Sequence, residues 1–316
     1  MSDDPASLPP RSDVPDDLAQ DAEPRDAAGS PGSEAQLVLV STPIGNLGDI
    51  TERAVRCLRE ADLILCEDTR TTRILLRAKG IPTRTEALHE HNEKERVPAL
   101  LDDMRRGRRL ALVSDAGTPL LSDPGYRLVT AAIEAGLRVS AAPGASAVLT
   151  ALTLSGLPPQ PFLFLGFPPP RPAARSQNFG SLRAAERAGL SATLVWHEAP
   201  HRLREMLADL LAVFGDRNAV VARELTKRFE EVRRDRLAAL AEHYAHHDAR
   251  GEITVLLAPQ PPESDDREEL DRRLQQALAT LSVKDAAALV AGALSLPRRL
   301  VYARAMELAG RTRAVE

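Results

Sequence analysis

Three runs of four apolar residues constrain this chain more than anything else in it: Leu37-Val38-Leu39-Val40, Leu63-Ile64-Leu65-Cys66 and Leu110-Ala111-Leu112-Val113. None alternates with polar residues, so each predicts a short strand covered on both faces. Helix signals fill the gaps. Asp49 or Thr51 is positioned to cap a helix ending at Glu60, a helix over 70–79 stops at Gly80 with Pro82 beyond, and one over 93–106 ends at Gly107. A short strand near Arg84–Leu88, a helix over 124–135, a strand over 137–141 and a helix after Pro143-Gly144 continue the pattern. Alternating strands and helices with short loops predict an α/β fold with a mostly parallel sheet and helices on both faces.

The strands stop in unusual corners. Thr42-Pro43-Ile44-Gly45-Asn46 follows the first run, Glu67-Asp68-Thr69-Arg70 the second, and Ser114-Asp115-Ala116-Gly117-Thr118-Pro119 the third. A second acidic turn, Asp123-Pro124-Gly125, comes soon after, and Pro143-Gly144-Ala145-Ser146 ends a later strand. The carboxyl ends of parallel strands are where an open α/β sheet holds a polar small molecule. Glycine there lets backbone approach a ligand. Together these corners predict one site.

Each corner also has a plainer reading. Thr42–Asn46 can be a simple β-turn. In Glu67–Arg70 a carboxylate or Thr69 can cap the next helix while Glu67 pairs with Arg70. Capping explains one carboxylate and leaves the other for a site. His89-x-His91-Asn92 lacks the spacing of a helical metal pair and has no cysteine nearby, so it reads as loop histidines or a substrate contact. Glu224-Leu225-Thr226-Lys227 reads as a charged hairpin loop or as cleft lining. No GxGxxG and no GxxxxGK[ST] is present, which sets aside a dinucleotide-binding oxidoreductase and a P-loop NTPase.

The remaining chain divides as follows. Residues 1–35 are rich in Asp, Pro, Ala, Gly and Ser and predict a disordered acidic tail. A first α/β domain spans 36–156, and the Pro-rich segment Leu157–Pro172 opens a second over 157–260. In it, strand 162–166 leads to a loop carrying Arg171, Arg175, Arg183 and Arg187. Strand 192–196, helix 200–213, strands 219–223 and 228–233, helix 235–246 and strand 252–258 follow. The close pair 219–223 and 228–233 predicts a hairpin and therefore a mixed sheet. Pro259–Asp266 is a linker, and 261–316 ends in three helices, roughly 267–280, 283–293 and 297–309, like a helix-turn-helix appendage.

Charge narrows the partners. The net charge is −4, but residues 1–36 hold nine acidic and two basic side chains, so the rest is mildly basic. That permits a polyanion partner. Val139–Pro170 contains no charge, yet its prolines and glycine break it and its helical part, about 16 Å at 1.5 Å per residue, is too short for a bilayer. Cys57 and Cys66 read as buried thiols in a reducing cytoplasm, and no metal site or signal peptide is expected.

The motifs TPIGNLGDIT, EDTR, HEHN, LVSDAGTPLLSDPG, PGAS, HEAPHR, ARELTK and GEITVLL, in this order, resemble the RsmI family of ribosomal RNA small-subunit methyltransferases. The likeness is strong over residues 36–258 and moderate over 267–316. It implies a two-domain tetrapyrrole-methylase-like (class III methyltransferase) fold, a homodimer, and S-adenosylmethionine between the domains. It also implies 2′-O-methylation of a cytidine ribose in 16S rRNA. Pro43, Asp115, Ala116, Gly117, Thr118, Ser146, Ala147, Ala222 and Arg223 would then line the cofactor site. Glu67, Asp68, Arg70, His91, Asn92 and Lys227 are the candidates for acting on the ribose, and the base among them stays open. Arginines at 171–187, 228–236 and 298–313 are the expected phosphate contacts. Two rivals stand beside this reading: a tetrapyrrole methyltransferase of the same fold, which needs no basic appendage, and a non-catalytic rRNA-binding module, which needs no carboxylates at strand ends.

Overall fold

A computed structural model describes residues 35–260, 264–294 and 296–313. The expected disordered tail lies outside the described residues, except Ala35, which is buried. The chain divides into two compact units. One holds the chain up to Thr150 together with Leu225–Phe229, and the other Ala151–Glu224 and everything from Glu230 onward.

The first unit runs β1 (Leu37–Val40), α1 (Glu52–Glu60), β2 (Leu63–Cys66), α2 (Thr69–Ala78), β3 (Thr85–Ala87), α3 (Glu90–Arg105), β4 (Leu110–Leu112), α4 (Tyr126–Glu134) and β5 (Val139–Ala142), with α5 (Ala147–Ser155) crossing the division. Its strands form one parallel sheet in the order β3-β2-β4-β1-β5. The unbroken apolar runs find their reason here. Successive side chains of a strand point to opposite faces, so Val38, Val40, Ile64, Cys66 and Ala111 pack with Ala54 and Leu58 of α1 and Leu76 of α2. Leu37, Leu63, Leu65, Leu110 and Leu112 pack on the other face with Leu100 and Met104 of α3 and Leu128 and Ala132 of α4. Of the two thiols only Cys66 is buried, while Cys57 is half-buried.

Local chemistry decides several boundaries. Thr51, not Asp49, caps α1, its hydroxyl accepting from the Ala54 N–H at 3.1 Å. α3 starts earlier than its sequence pattern predicts, so His89–Asn92 is not a free loop. Asn92 Oδ1 accepts from the His89 N–H at 2.9 Å and its Nδ2 donates to the Ala87 carbonyl at 3.1 Å, which fixes the first turn.

The second unit runs β6 (Phe162–Phe164), α6 (Pro172–Arg187), β7 (Thr193–Glu198), α7 (Pro200–Phe214), β8 (Asn218–Arg223), β9 (Glu231–Arg236), α8 (Leu237–His246) and β10 (Ile253–Leu257). Its sheet is ordered β6-β7-β10-β8-β9. It is mixed: β6 and β7 are parallel, and β8 and β9 form the expected antiparallel hairpin. Trp196, Val221 and Val255 of this sheet share one core with Phe179 of α6, Leu207 of α7 and Leu240 of α8.

The expected basic loop at 171–187 is corrected. It is α6, with Pro172 in its first turn, where a missing N–H costs nothing. Arg175 is 1% exposed and donates to Asp209 at 2.6 Å and to Glu205 at 3.2 Å. Arg183 and Arg217 both meet the buried Glu186. These guanidinium groups hold α6 to its neighbours and do not face a polyanion.

Past residues 261–263, which lie outside the described ones, α9 (Ser264–Leu278), α10 (Val283–Leu294) and α11 (Arg298–Arg313) share a separate small core built on Leu274, Ala286, Val290, Val301 and Ala305. α9 begins inside the span expected to be linker.

Candidate active site

The carboxyl ends of β1, β2, β4 and β5 meet at one edge of the parallel sheet. The corners after β1 and β4 are tied directly. The Thr42 N–H donates to the Gly117 carbonyl at 2.8 Å and the Gly117 N–H returns to the Thr42 carbonyl at 3.1 Å. Although β1 and β4 run parallel, the chains beyond them fold back into this isolated antiparallel bridge. Hydroxyls extend the tie. Ser41 Oγ lies 3.1 Å from Thr118 Oγ1, and the Thr118 hydroxyl reaches the Ala145 carbonyl at 3.2 Å. Thr42 Oγ1 donates to the Ser114 carbonyl at 3.3 Å.

Gly117 cannot be exchanged freely. Its φ of +80° is left-handed, and a Cβ there would stand 3.3 Å from Ile44 Cγ2. Gly45 is constrained by a close approach. A Cβ on it would stand 2.4 Å from Lys227 Cγ, so the Lys227 side chain crosses directly over this residue. The Asn46 N–H donates to Thr226 Oγ1 at 3.2 Å. Thr226 has a positive φ of 66°, a strained conformation for a β-branched residue. The Leu225–Phe229 loop is thereby fixed on the corner after β1, and Lys227 comes to the same edge as Asp115–Thr118.

Carboxylates gather at this edge. The Asp68 N–H donates to Asp115 Oδ1 at 3.0 Å, joining the corners after β2 and β4. Asp68 caps α2, accepting from the Arg70 N–H at 2.8 Å, and pairs with the Arg70 guanidinium at 3.0 Å. The expected pairing of Glu67 with Arg70 therefore falls to Asp68, whose carboxyl the Arg70 bonds hold below its ordinary range. Glu67 is left beside Asp115 and Glu90. Burial first, and then these two charges, raise its pKa. Asp123 stands out. Burial, followed by the charges of Glu67 and Asp115, pushes it up to about 6, against the pull of the Ser114 hydroxyl. Asp123 was absent from the residues singled out for chemistry. The signal was the second acidic turn, Asp123-Pro124-Gly125, whose carboxylate returns to the first.

Other candidates fall less centrally. Asn92 is committed to the first turn of α3, and His91 is exposed, its ring 6.0 Å from that of His89. Ser146 caps α5 weakly, its hydroxyl accepting from the Leu149 N–H at 3.4 Å, with Ala147 beginning the helix. Pro43 lies between the bridged Thr42 and Ile44. In the second unit Ala222 is fully buried within β8, and Arg223 is ion-paired with Glu231 directly across the hairpin.

The edge suits a polar small molecule. The hydroxyls of Ser41 and Thr118 and the Asp115 carboxylate stand around a bridged backbone at the glycine. Among the described residues no cluster of His, Cys, Asp and Glu could hold a metal ion.

Comparison with known proteins gives two family matches. Residues 36–241 match the family described as Tetrapyrrole (Corrin/Porphyrin) Methylases, and residues 264–309 match the RsmI C-terminal HTH domain. The chain is similar to the ribosomal RNA small subunit methyltransferase I of Mesorhizobium japonicum, 47% identical over 87% of this chain and 92% of the relative. Among solved structures it is similar to a cobalt precorrin-4 methyltransferase, with a TM-score of 0.55 and 18% identity over 73% of this chain and 98% of the other. It is also similar to the uroporphyrin-III C-methyl transferase of Thermus thermophilus complexed with S-adenyl homocysteine, with a TM-score of 0.50 and 20% identity over 70% of this chain and 97% of the other.

Proposed function

From the premise that this chain belongs to the tetrapyrrole methylase family, in its ribosomal RNA small subunit methyltransferase I branch, we propose that it transfers a methyl group to a ribose 2′-oxygen of a cytidine in 16S rRNA. One structural observation supports the chemistry most. A rim of bridged backbone, Thr42 with Gly117, stands beside a carboxylate group with one member raised to near neutral pH. A tetrapyrrole methyltransferase is the weaker reading, because the HTH match over α9–α11 adds a module a porphyrinoid substrate does not call for.

S-adenosylmethionine, when bound, supplies a sulfonium-activated methyl group. Pro43, Asp115, Ala116, Gly117, Thr118, Ser146 and Ala147 of the first unit would hold it. The rim positions these groups without a loop having to order first. Aligning two bound reactants can be worth about 7–11 kcal/mol. A ribose hydroxyl is a poor nucleophile until its proton leaves. Asp123 or Glu67 would accept that proton, since a base is most effective when its pKa lies near the working pH. Lys227 would steady the developing negative charge on oxygen. Asp68 and Arg70, paired to each other, would orient the ribose.

The enzyme would work in the cytoplasm as a homodimer. No helix among the described residues is long and apolar enough to cross a membrane. Tyr126 and Ile133, 71% and 61% exposed one heptad apart on α4, give a partner copy an apolar face to cover. Ribose-methylation mapping of rRNA with and without the gene tests the function. One small-subunit cytidine should lose its 2′-O-methyl signal, and an unchanged map would sink the assignment.

A further inference from the structure

Six of the thirteen arginines expected to touch RNA are already engaged within the fold. Arg175 and Arg183 hold carboxylates, Arg233 meets Glu231, and Arg236 meets Asp216. Arg234 donates to the Leu154 carbonyl, and Arg304 is held by Asp271 and Glu307.

α2 and the segment after it differ. From Thr69 to Thr85 the chain carries Arg70, Arg73, Arg77, Lys79 and Arg84 and no acidic residue, within a chain of net charge −4. Arg73 and Arg77 are exposed, and neither guanidinium has a hydrogen-bond or ion-pair partner among the described residues. Arg70, Arg73 and Arg77 follow the three-then-four spacing that places side chains on one face of a helix. At 1.5 Å per residue this row is about 10 Å long. Its first member stands at the candidate active site, paired with Asp68. Its far end opens on a cavity of about 410 Å³, with Arg73, Arg77 and Arg84 at the rim and Leu76 and Ile81 among its lining residues. Arg84 pairs with Glu86 at 2.8 Å, but Glu86 is shared with Arg96, so the cavity keeps a net positive charge.

We propose that α2 and this cavity form a track for the backbone of the rRNA strand that flanks the target ribose, with one phosphodiester seated between Arg73, Arg77 and Arg84. The inference rests on the rRNA reading above. Planar guanidinium groups recognise phosphate oxygens in pairs, which suits three of them around one opening. The row leads from the corner after β2 to the loop entering β3, from the carboxyl edge of the sheet to its opposite edge. An extended strand lying along it would reach the site from one side only.

The test compares the Arg73→Gln/Arg77→Gln double variant with wild type and with an Arg127→Gln/Arg204→Gln variant of equal charge, whose two arginines are exposed on α4 and α7, away from α2 in the chain. Each binds small ribosomal subunits lacking the modification across a salt series. Losing the one seated phosphate on a single strand should flatten the slope of log affinity against log salt by about 0.7. Donor binding should stay at the wild-type level. A slope that falls no further than in the charge-matched variant, while wild type methylates the subunit, overturns the track and leaves the function standing. Wild type failing to methylate the subunit overturns the function, and the track with it.

Discussion

Asp123→Asn separates the cost of a charge from its use. The wild-type carboxyl titrates at about 6 instead of its ordinary 3.8, because burial and the charges of Glu67 and Asp115 oppose ionisation. A carboxyl raised by folding adds stability that is complete below its unfolded pKa and is lost as pH rises through the folded value. Two units at 1.36 kcal/mol each put the full loss at about 3 kcal/mol near pH 8, with about half developed by pH 5. Asp123 is partly exposed, so screening lowers the real figure to about 2 kcal/mol. Asparagine cannot ionise. The variant should therefore gain on wild type as pH rises, by about 1 kcal/mol between pH 5 and pH 8. Urea unfolding of both proteins across this range, with equal slopes, reads the difference directly. Methyl transfer should move the opposite way, falling by about 10²–10⁴-fold if Asp123 takes the ribose proton. A stability difference that is flat with pH would refute the electrostatic reasoning. Wild-type turnover in the variant would pass the proton to Glu67.

For wild type, turnover should rise with pH through an apparent pKa near 6, the ionised carboxylate being the active form, and Asp123→Asn should abolish that limb in a pH–rate profile. Gly117→Ala should cost about 1–2 kcal/mol from its left-handed backbone alone, and should weaken donor binding measured by calorimetry. Arg175→Ala should lower the unfolding free energy by about 3 kcal/mol, by stranding Asp209 and opening a void, yet leave the salt slope of rRNA binding unchanged. Asp68→Ala should cost about 1 kcal/mol as a lost cap. Both it and Arg70→Ala should keep donor binding in a filter assay while methyl transfer is lost.

The parallel sheet was legible because two-faced burial leaves an unbroken apolar run, and the first, second and third runs became β1, β2 and β4. The corners were legible because Gly, Pro and Asp end strands in turns, each for its own backbone reason. Reading failed where a residue's role depends on what lies across space. Arg175 looks like a loop cation in sequence, and only the fold places Asp209 and Glu205 against it. The row on α2 carries no signal in the sequence, because a sequence does not say which guanidinium groups remain uncommitted. Asn92 looked like a polar contact and is part of a helix start. Asp123 was hidden because its raised pKa comes first from burial and then from the charges of Glu67 and Asp115, the former far away in sequence.

The bridge between Thr42 and Gly117 also bears on the speed of the enzyme. Each of its two amide hydrogens is held by the opposite strand's extension, so opening the rim means breaking both bonds together. The entropy of ordering these corners has been lost once, during folding, and is not lost again at each turnover. A donor held at this rim, as proposed, would exchange without a loop closing or reopening there.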